Sequence, residues 1–120
     1  MAEHNDFGIL AEQKATEFLL SKGYKIIHRN YRIRNAEIDI IAECNNELII
    51  VEVKALSNDL LRAPEQAVNK AKIKLLIQAT DEYIQKNNID KSVRFDIISI
   101  IKQNENWKIQ HLIDAFDAIF

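Results

Sequence analysis

Apolar positions recur along the chain with two different periods, and the switches between them mark the elements. From Asp6 to Lys22 the spacing is helical, with Ala11, Ala15, Phe18 and Leu19 on one stripe, Asn5 or Asp6 as the cap and Gly23 as the stop. Tyr24 to Arg34 interleaves basic and apolar residues and reads as a strand. Glu37 to Cys44 and Glu47 to Ala55 are further strands, joined by a tight turn at Cys44-Asn45-Asn46-Glu47. After a loop with Ser57, Asn58 and Asp59, Pro64 opens a long helix with Glu65 in its first turn. Its apolar stripe is Val68, Ala71, Leu75, Leu76, Ala79 and Tyr83, with Lys70, Lys72, Lys74 and Lys86 mostly on other faces, and Asn87-Asn88 ends it. Ser92 to Ile101 is a strand, a turn follows at Gln103 to Asn106, and Trp107 to Ile109 is a short strand. Leu112 to Phe116 reads as a helical turn. The order α-β-β-β-α-β-β predicts an α/β fold, a central mixed sheet flanked by helices.

Charges inside the apolar strands change this picture. Leu48-Ile49-Ile50-Val51-Glu52-Val53-Lys54 reads as a buried strand ending in two charges, and Ala36-Glu37-Ile38-Asp39-Ile40 carries two acids. Burying an ion costs several kcal/mol unless a partner or a metal compensates. A hairpin symmetric about Asn45 and Asn46 places Asp39 opposite Glu52 and Glu37 opposite Lys54, all on one face. Like charges placed opposite each other are destabilising, and a divalent cation between Asp39 and Glu52 reverses the sign. The alternative is an ion-pair network that only specifies the fold, with Glu37 simply pairing with Lys54. A β-bulge would shift this register.

The chain has 120 residues, about half of them apolar at 48%, which suits one domain, residues 1–120, with a real core. No apolar run approaches a membrane span, and the polar N-terminus does not resemble a signal peptide. With one cysteine, Cys44, no internal disulfide forms, and these features together predict a cytoplasmic protein. A formal charge of -2 argues against coating nucleic acid through bulk charge. A local basic surface remains: Lys25 to Arg34 carries Lys25, Arg29, Arg32 and Arg34 just before the acidic strand. A cationic rim around an anionic pocket is what a phosphodiester substrate requires. Strand alternation sets Arg29 on the opposite face from Arg32 and Arg34, so at most one subset lines the pocket; Arg32 and Arg34 are the expected phosphate contacts, beside the alternative of ordinary surface charge. Gln66 and Lys70, spaced i, i+4 on one helix face, are further candidates, beside the alternative of a solvated face. His4, His28 and His111 lack ligand spacing for zinc, and no Gly-rich phosphate loop or Ser-His-Asp pattern appears, so no organic cofactor is expected.

Glu37-x-Asp39 followed by Val51-Glu52-Val53-Lys54 resembles the PD-(D/E)xK nuclease signature, and the element order resembles the restriction-endonuclease-like core. A fuller pattern runs through Gly8-x-x-Ala11-Glu12-x-x-Ala15-x-x-Phe18-Leu19, Lys22-Gly23-Tyr24, Arg29-Asn30-Tyr31-Arg32, Glu37-Ile38-Asp39-Ile40-Ile41-Ala42, Pro64-Glu65-x-Ala67-Val68 and Arg94-Phe95-Asp96. It is similar to the bacterial YraN-like family, small proteins related to archaeal Holliday-junction resolvases. Ala11 and Ala36 stand where that family usually has glycine. The resemblance implies a Mg²⁺-dependent (or Mn²⁺-dependent) endonuclease acting on DNA, with branched or junction DNA as one substrate class and a homodimer by analogy. It implies metal ligation by Asp39 and Glu52 with the Val53 carbonyl and waters, a catalytic Lys54 that orients or deprotonates the attacking water or stabilises charge growing on the phosphate, and a Glu12 that reaches the metal. A non-catalytic nucleic-acid or protein binding module on the same fold is the alternative.

Overall fold

The computed structural model describes residues 2–57 and 69–116, with side chains of the first helix described from Asp6 onward. The expected helix start at Pro64, with Glu65 and Val68, and the candidate Gln66 lie outside the described residues, as do Asn58 and Asp59.

The order of elements is α1 (Ala2–Ser21), β1 (Lys25–Ile33), β2 (Ala36–Cys44), β3 (Glu47–Leu56), α2 (Lys70–Lys86), β4 (Ser92–Gln103) and β5 (Asn106–Phe116). The strands form one sheet in sequence order, antiparallel throughout except for β3 and β4, which run parallel. Parallel neighbours need a crossover, and the segment containing α2 is that crossover. The central strands β3 and β4 are covered on both faces, so they read as near-continuous apolar runs rather than as alternating ones.

The core has two halves. On one face, Ala11, Ala15 and Leu19 of α1 pack on Ile40, Ala42, Ile49, Val51, Ile98 and Ile100, the stripe expected from helical spacing. On the other, Leu76, Ala79 and Tyr83 of α2 pack on Ile38, Ile41, Leu48, Ile50 and Phe95. The α2 stripe is narrower than its sequence implies. Leu75 is 42% exposed, while Thr80 is buried with its hydroxyl donating to the Leu76 carbonyl at 2.7 Å. Local signals set the ends of the elements. Gly23, at φ +91°, closes α1 with the Tyr24 amide on the Leu19 carbonyl and the Gly23 amide on Leu20, a Schellman pair. Asn45 and Asn46, both at positive φ, make the two-residue turn between β2 and β3. Asn69 caps α2 by accepting from the Lys72 amide at 2.9 Å.

One expected element is corrected. Leu112 to Phe116 is not a helical turn but the continuation of β5, paired with β4 from Gln103↔Asn106 to Phe95↔Phe116. Pairing supplies the backbone partners that an isolated helical turn lacks, and Phe116 stacks on Phe95 at 5.0 Å. The pairing passes a bulge where Asp114 sits at φ 57° and its amide donates to Asp96 Oδ1 at 3.0 Å. Asp96 is fully buried and fully satisfied. Arg94 donates to both of its oxygens at 2.9 Å, and His111 Nε2 lies 2.7 Å away, so that nitrogen carries the proton. Arg94 also donates to the Tyr24 hydroxyl at 2.7 Å and faces Glu47 at 3.5 Å, which ties the residue leading into β1 to β3, β4 and, through Asp96 and His111, β5. Among the described residues, no helix is long and apolar enough to cross a membrane.

Burial raises the Asp96 carboxyl, but the bonds from His111, Arg94 and the Asp114 amide outweigh it and hold the group below its ordinary 3.8. The stability it contributes is therefore full above that value and lost as pH falls through the lower folded value. Asp96→Asn is expected to lose about 3–5 kcal/mol near neutral pH, as when one partner of a buried ion pair is removed. The gap from wild type should begin to narrow below about pH 4 in urea titrations, as the unfolded chain takes up its proton, and close below the lower folded value, where protonated Asp96 resembles asparagine.

Candidate functional site

The hairpin keeps its expected register only part of the way. Cys44↔Glu47 through Ile40↔Val51 pair as symmetry about the turn requires, and the ladder ends there. At the next position the Val53 amide donates to Asp39 Oδ2 at 2.8 Å, so a side chain takes the place of a backbone partner. The neighbouring ladder changes at the same level. Asn30, at φ 53°, and Asp39 lie between the pairs Arg29↔Ile40 and Tyr31↔Ile38. Ile40 belongs to the core on the α1 face, whereas Ile38 and Ile41 both belong to the core on the α2 face. The strand therefore changes its face at Asp39, and alternation no longer holds across it.

Glu52 follows on β3, with its side chain 1% exposed. Lys72 Nζ of α2 lies 2.5 Å from its Oε2 and Lys54 Nζ lies 3.9 Å from the same oxygen. Neither oxygen accepts a hydrogen bond of good angular geometry from the described residues, and Oε1 has no ammonium against it. Asp39 is near enough to feel the Glu52 charge. Burial first, and Glu52 second, push its carboxyl up to about 8 against the pull of the Val53 amide. Burial, then the like charge of Lys72, pulls Lys54 below its ordinary value, with Glu52 and Asp39 opposing. Burial also works against the Lys72 ammonium, but its close ion pair with Glu52 and the charge of Asp39 outweigh it, so Lys72 stays above its ordinary value.

Glu12 reaches the site from α1. It lines an open concavity of about 480 Å³ with Gly8, Ala11, Asp39, Val53 and Lys54. Burial raises its carboxyl, with a bond to Asn30 and the Arg29 charge working the other way. A second concavity of about 380 Å³, on the α2 side, is lined by Glu37, Asp39, Asn69 and Lys72. Asp39 thus stands between two openings in the surface.

The structure gathers Glu12, Asp39, Glu52 and Lys54, and leaves other candidates elsewhere. Glu37 does not pair with Lys54, because the ladder ends first; it is exposed and faces Arg32 at 3.7 Å. Arg32 is itself exposed in that pair. Arg34 donates to both oxygens of Glu82 at 2.7 and 3.0 Å, which ties it to α2 rather than to the site. Arg29, set apart from Arg32 by alternation, pairs with Ile40 of the α1 face and acts on Glu12. The left-handed Asn30 removes the parity on which that separation rested. Lys70 is exposed at the start of α2, and Lys72, two residues on, makes the contact instead. The helical stripe gave no sign of this, since Lys72 lies beside the apolar positions, not among them.

Among the described residues, no three His, Cys, Asp or Glu side chains converge as a ready metal cage. The donor set nevertheless fits a hard cation held by two carboxylates and waters, the usual manner of Mg²⁺. It offers one buried carboxylate oxygen without a partner and two acids, Asp39 and Glu52, whose mutual repulsion Lys72 only partly cancels.

Comparison with known proteins gives the chain's relationships. A sequence profile described as uncharacterised protein family UPF0102 matches residues 11–100. A UPF0102 protein of Flavobacterium psychrophilum is 47% identical over 97% of this chain and 98% of its own length. One of Bacteroides thetaiotaomicron is 48% identical over 97% of this chain and 96% of its own. Among solved structures, Pyrococcus furiosus SfsA in complex with Ca²⁺ superposes with a TM-score of 0.43 and 15% identity, over 83% of this chain and 61% of that one. On the profile and the near-full-length relatives together, the chain belongs to the UPF0102 family.

Proposed function

We propose that the chain is a metal-dependent endonuclease with a restriction-endonuclease-like core, hydrolysing phosphodiester bonds of DNA, with branched or junction DNA as the preferred form. The observation that carries this reading is Glu52: a buried carboxylate beside a second acid, with an oxygen that nothing in the described protein satisfies. A purely structural carboxylate is expected to find its partners, as Asp96 does on the same sheet.

Asp39 and Glu52 would hold a Mg²⁺ or Mn²⁺ ion, which when bound supplies Lewis-acid polarisation of the phosphodiester and a more acidic water. The residues of the chain then divide the remaining work. The Val53 amide holds Asp39 in place through its Oδ2. Lys54, its proton loosened by burial and by Lys72, orients the attacking water and takes a proton from it. Glu12, across the same concavity, positions water at the open side. Arg29, whose charge acts on Glu12, takes the place expected of Arg34 on the rim of the site, with Arg32 and Lys70 exposed for contact with the phosphate backbone. A homodimer, placing two such sites on the two strands of a junction, accords with this reading.

The purified protein, incubated with flap, junction and linear DNA, should cleave only with Mg²⁺ or Mn²⁺, and Glu52→Gln should abolish cleavage. Binding without cleavage by both proteins would instead make the chain a non-catalytic binding module. Lys54→Met is expected to slow cleavage by about 10²–10⁴-fold, the usual share of a general acid or base. Mn²⁺ binding in calorimetry should be retained, because Asp39 and Glu52 are both still present.

A raised acid binds its proton more tightly in the folded state, so its contribution is full below the ordinary 3.8 and is lost as pH climbs toward about 8. In chelator, Asp39→Asn should therefore match wild type near pH 4 and melt higher at pH 8. Mn²⁺ should reverse the order at pH 8, because the cation needs the ionised carboxylate, and its uptake by wild type should release protons in calorimetry below that pH.

A further inference from the structure

Lys72 is the residue of the site that no sequence pattern singled out, and its position is unusual for a lysine. It lies in the first turn of α2, where the Asn69 side chain accepts from its backbone amide at 2.9 Å. The first turn of a helix favours anions, and α2 has no acid there. The side chain nevertheless lies against the buried end of Glu52, with Nζ at 2.5 Å from Oε2, while the lysine itself is 43% exposed. One end of this ion pair is therefore sealed and the other is free to move. Lys54, at 3.9 Å, is a looser neighbour of the same oxygen. The concavity beside Lys72 opens to solvent and is lined also by Asn69, Asp39 and Glu37.

Resting on the reading of Asp39 and Glu52 as cation ligands, we propose that Lys72 is an exchangeable counterion. It occupies Glu52 in the metal-free protein, yields that oxygen to an incoming divalent cation, and turns its ammonium to the phosphate backbone of DNA in the α2-side opening. The argument is one of charge and access. A carboxylate 1% exposed cannot stay unneutralised at moderate cost, so the metal-free fold needs a resident cation. That cation must be able to leave without unfolding its surroundings, and a long flexible side chain on the rim of an opening is suited to this. Once Glu52 is otherwise neutralised, the ammonium beside the positive end of α2 loses its buried partner, and a phosphate is an anion suited to replace it. Metal uptake and DNA binding are then positively coupled through one residue, and by linkage each strengthens the other.

Two measurements test this without reference to cleavage. The first is Mn²⁺ titration calorimetry on wild type, Lys72→Met and Lys72→Arg. Removal of the competitor should tighten Mn²⁺ by about fivefold or more, within the usual range of coupling between sites. Arginine, whose guanidinium grips a carboxylate through two bonds, should weaken it. The arginine variant keeps the charge and so keeps the test available if the methionine variant fails to fold. The second is anisotropy of a short labelled DNA duplex in chelator, with no metal. Glu52→Gln releases Lys72 permanently and should bind the duplex more tightly than wild type, and this gain should vanish in the Glu52→Gln, Lys72→Met double variant. Equal Mn²⁺ affinity in all three proteins, or a gain that survives in the double variant, would overturn the role of Lys72 while leaving the nuclease reading intact. A wild-type protein that takes up no Mn²⁺ would overturn both.

Discussion

The bond from the Val53 amide to the Asp39 carboxylate is the constraint on which the site depends. Backbone groups buried in a sheet need partners, and at this level β2 supplies a side chain instead of a carbonyl. The ladder between β2 and β3 stops, the strand changes its face, and space opens between α1 and α2 around Asp39. A continued ladder would have placed Asp39 in a regular row and left no concavity on either side. The left-handed Asn30 on β1, across from the same point, lets the outer strand follow the change. Asparagine tolerates that conformation better than most residues, so the irregularity is written into the chain at a low conformational cost.

Two buried carboxylates on this sheet show what separates a structural acid from a candidate ligand. In the parallel register Val51 pairs with Asp96 and Glu52 with Ile97, so the two acids sit one rung apart on neighbouring strands. Asp96 points to the α1 side and meets an arginine, a histidine and a backbone amide. Its carboxyl is held below the ordinary range. Glu52 points to the α2 side and, among the described residues, meets two ammonium groups at one oxygen and none at the other. The acid beside it, Asp39, is pushed in the opposite direction to Asp96. The same degree of burial thus yields a settled network in one case and an unmet need for positive charge in the other.

The balance of charge at the site rests on elements far apart in sequence. β2 and β3 bring the acids, β3 brings Lys54, α1 brings Glu12, and α2 brings Lys72. The crossover that makes β3 and β4 parallel is also what carries Lys72 back over the sheet to Glu52. Fold and site are coupled in this sense: the connection required by the parallel pair delivers the cation that the buried acid requires.

The chain's own pattern was sufficient for the layers, the hairpin register from its turn as far as Ile40↔Val51 and the stripe of α1. Each follows from a short-range rule: a period of two or of 3.6, a cap, a two-residue turn. The pattern failed where a long-range partner decides. Leu112 to Phe116 became strand because β4 offered it an edge. Arg34 went to Glu82, 48 residues away, and Lys72 rather than Lys70 reached Glu52. Alternation misplaced Arg29 because one left-handed residue reverses the parity of all that follows it. Local spacing thus determines which residues share a face within an element. Which charge meets which is decided only when elements remote in the chain close around one buried oxygen, because the cost of leaving that oxygen unpaired exists only in the folded state.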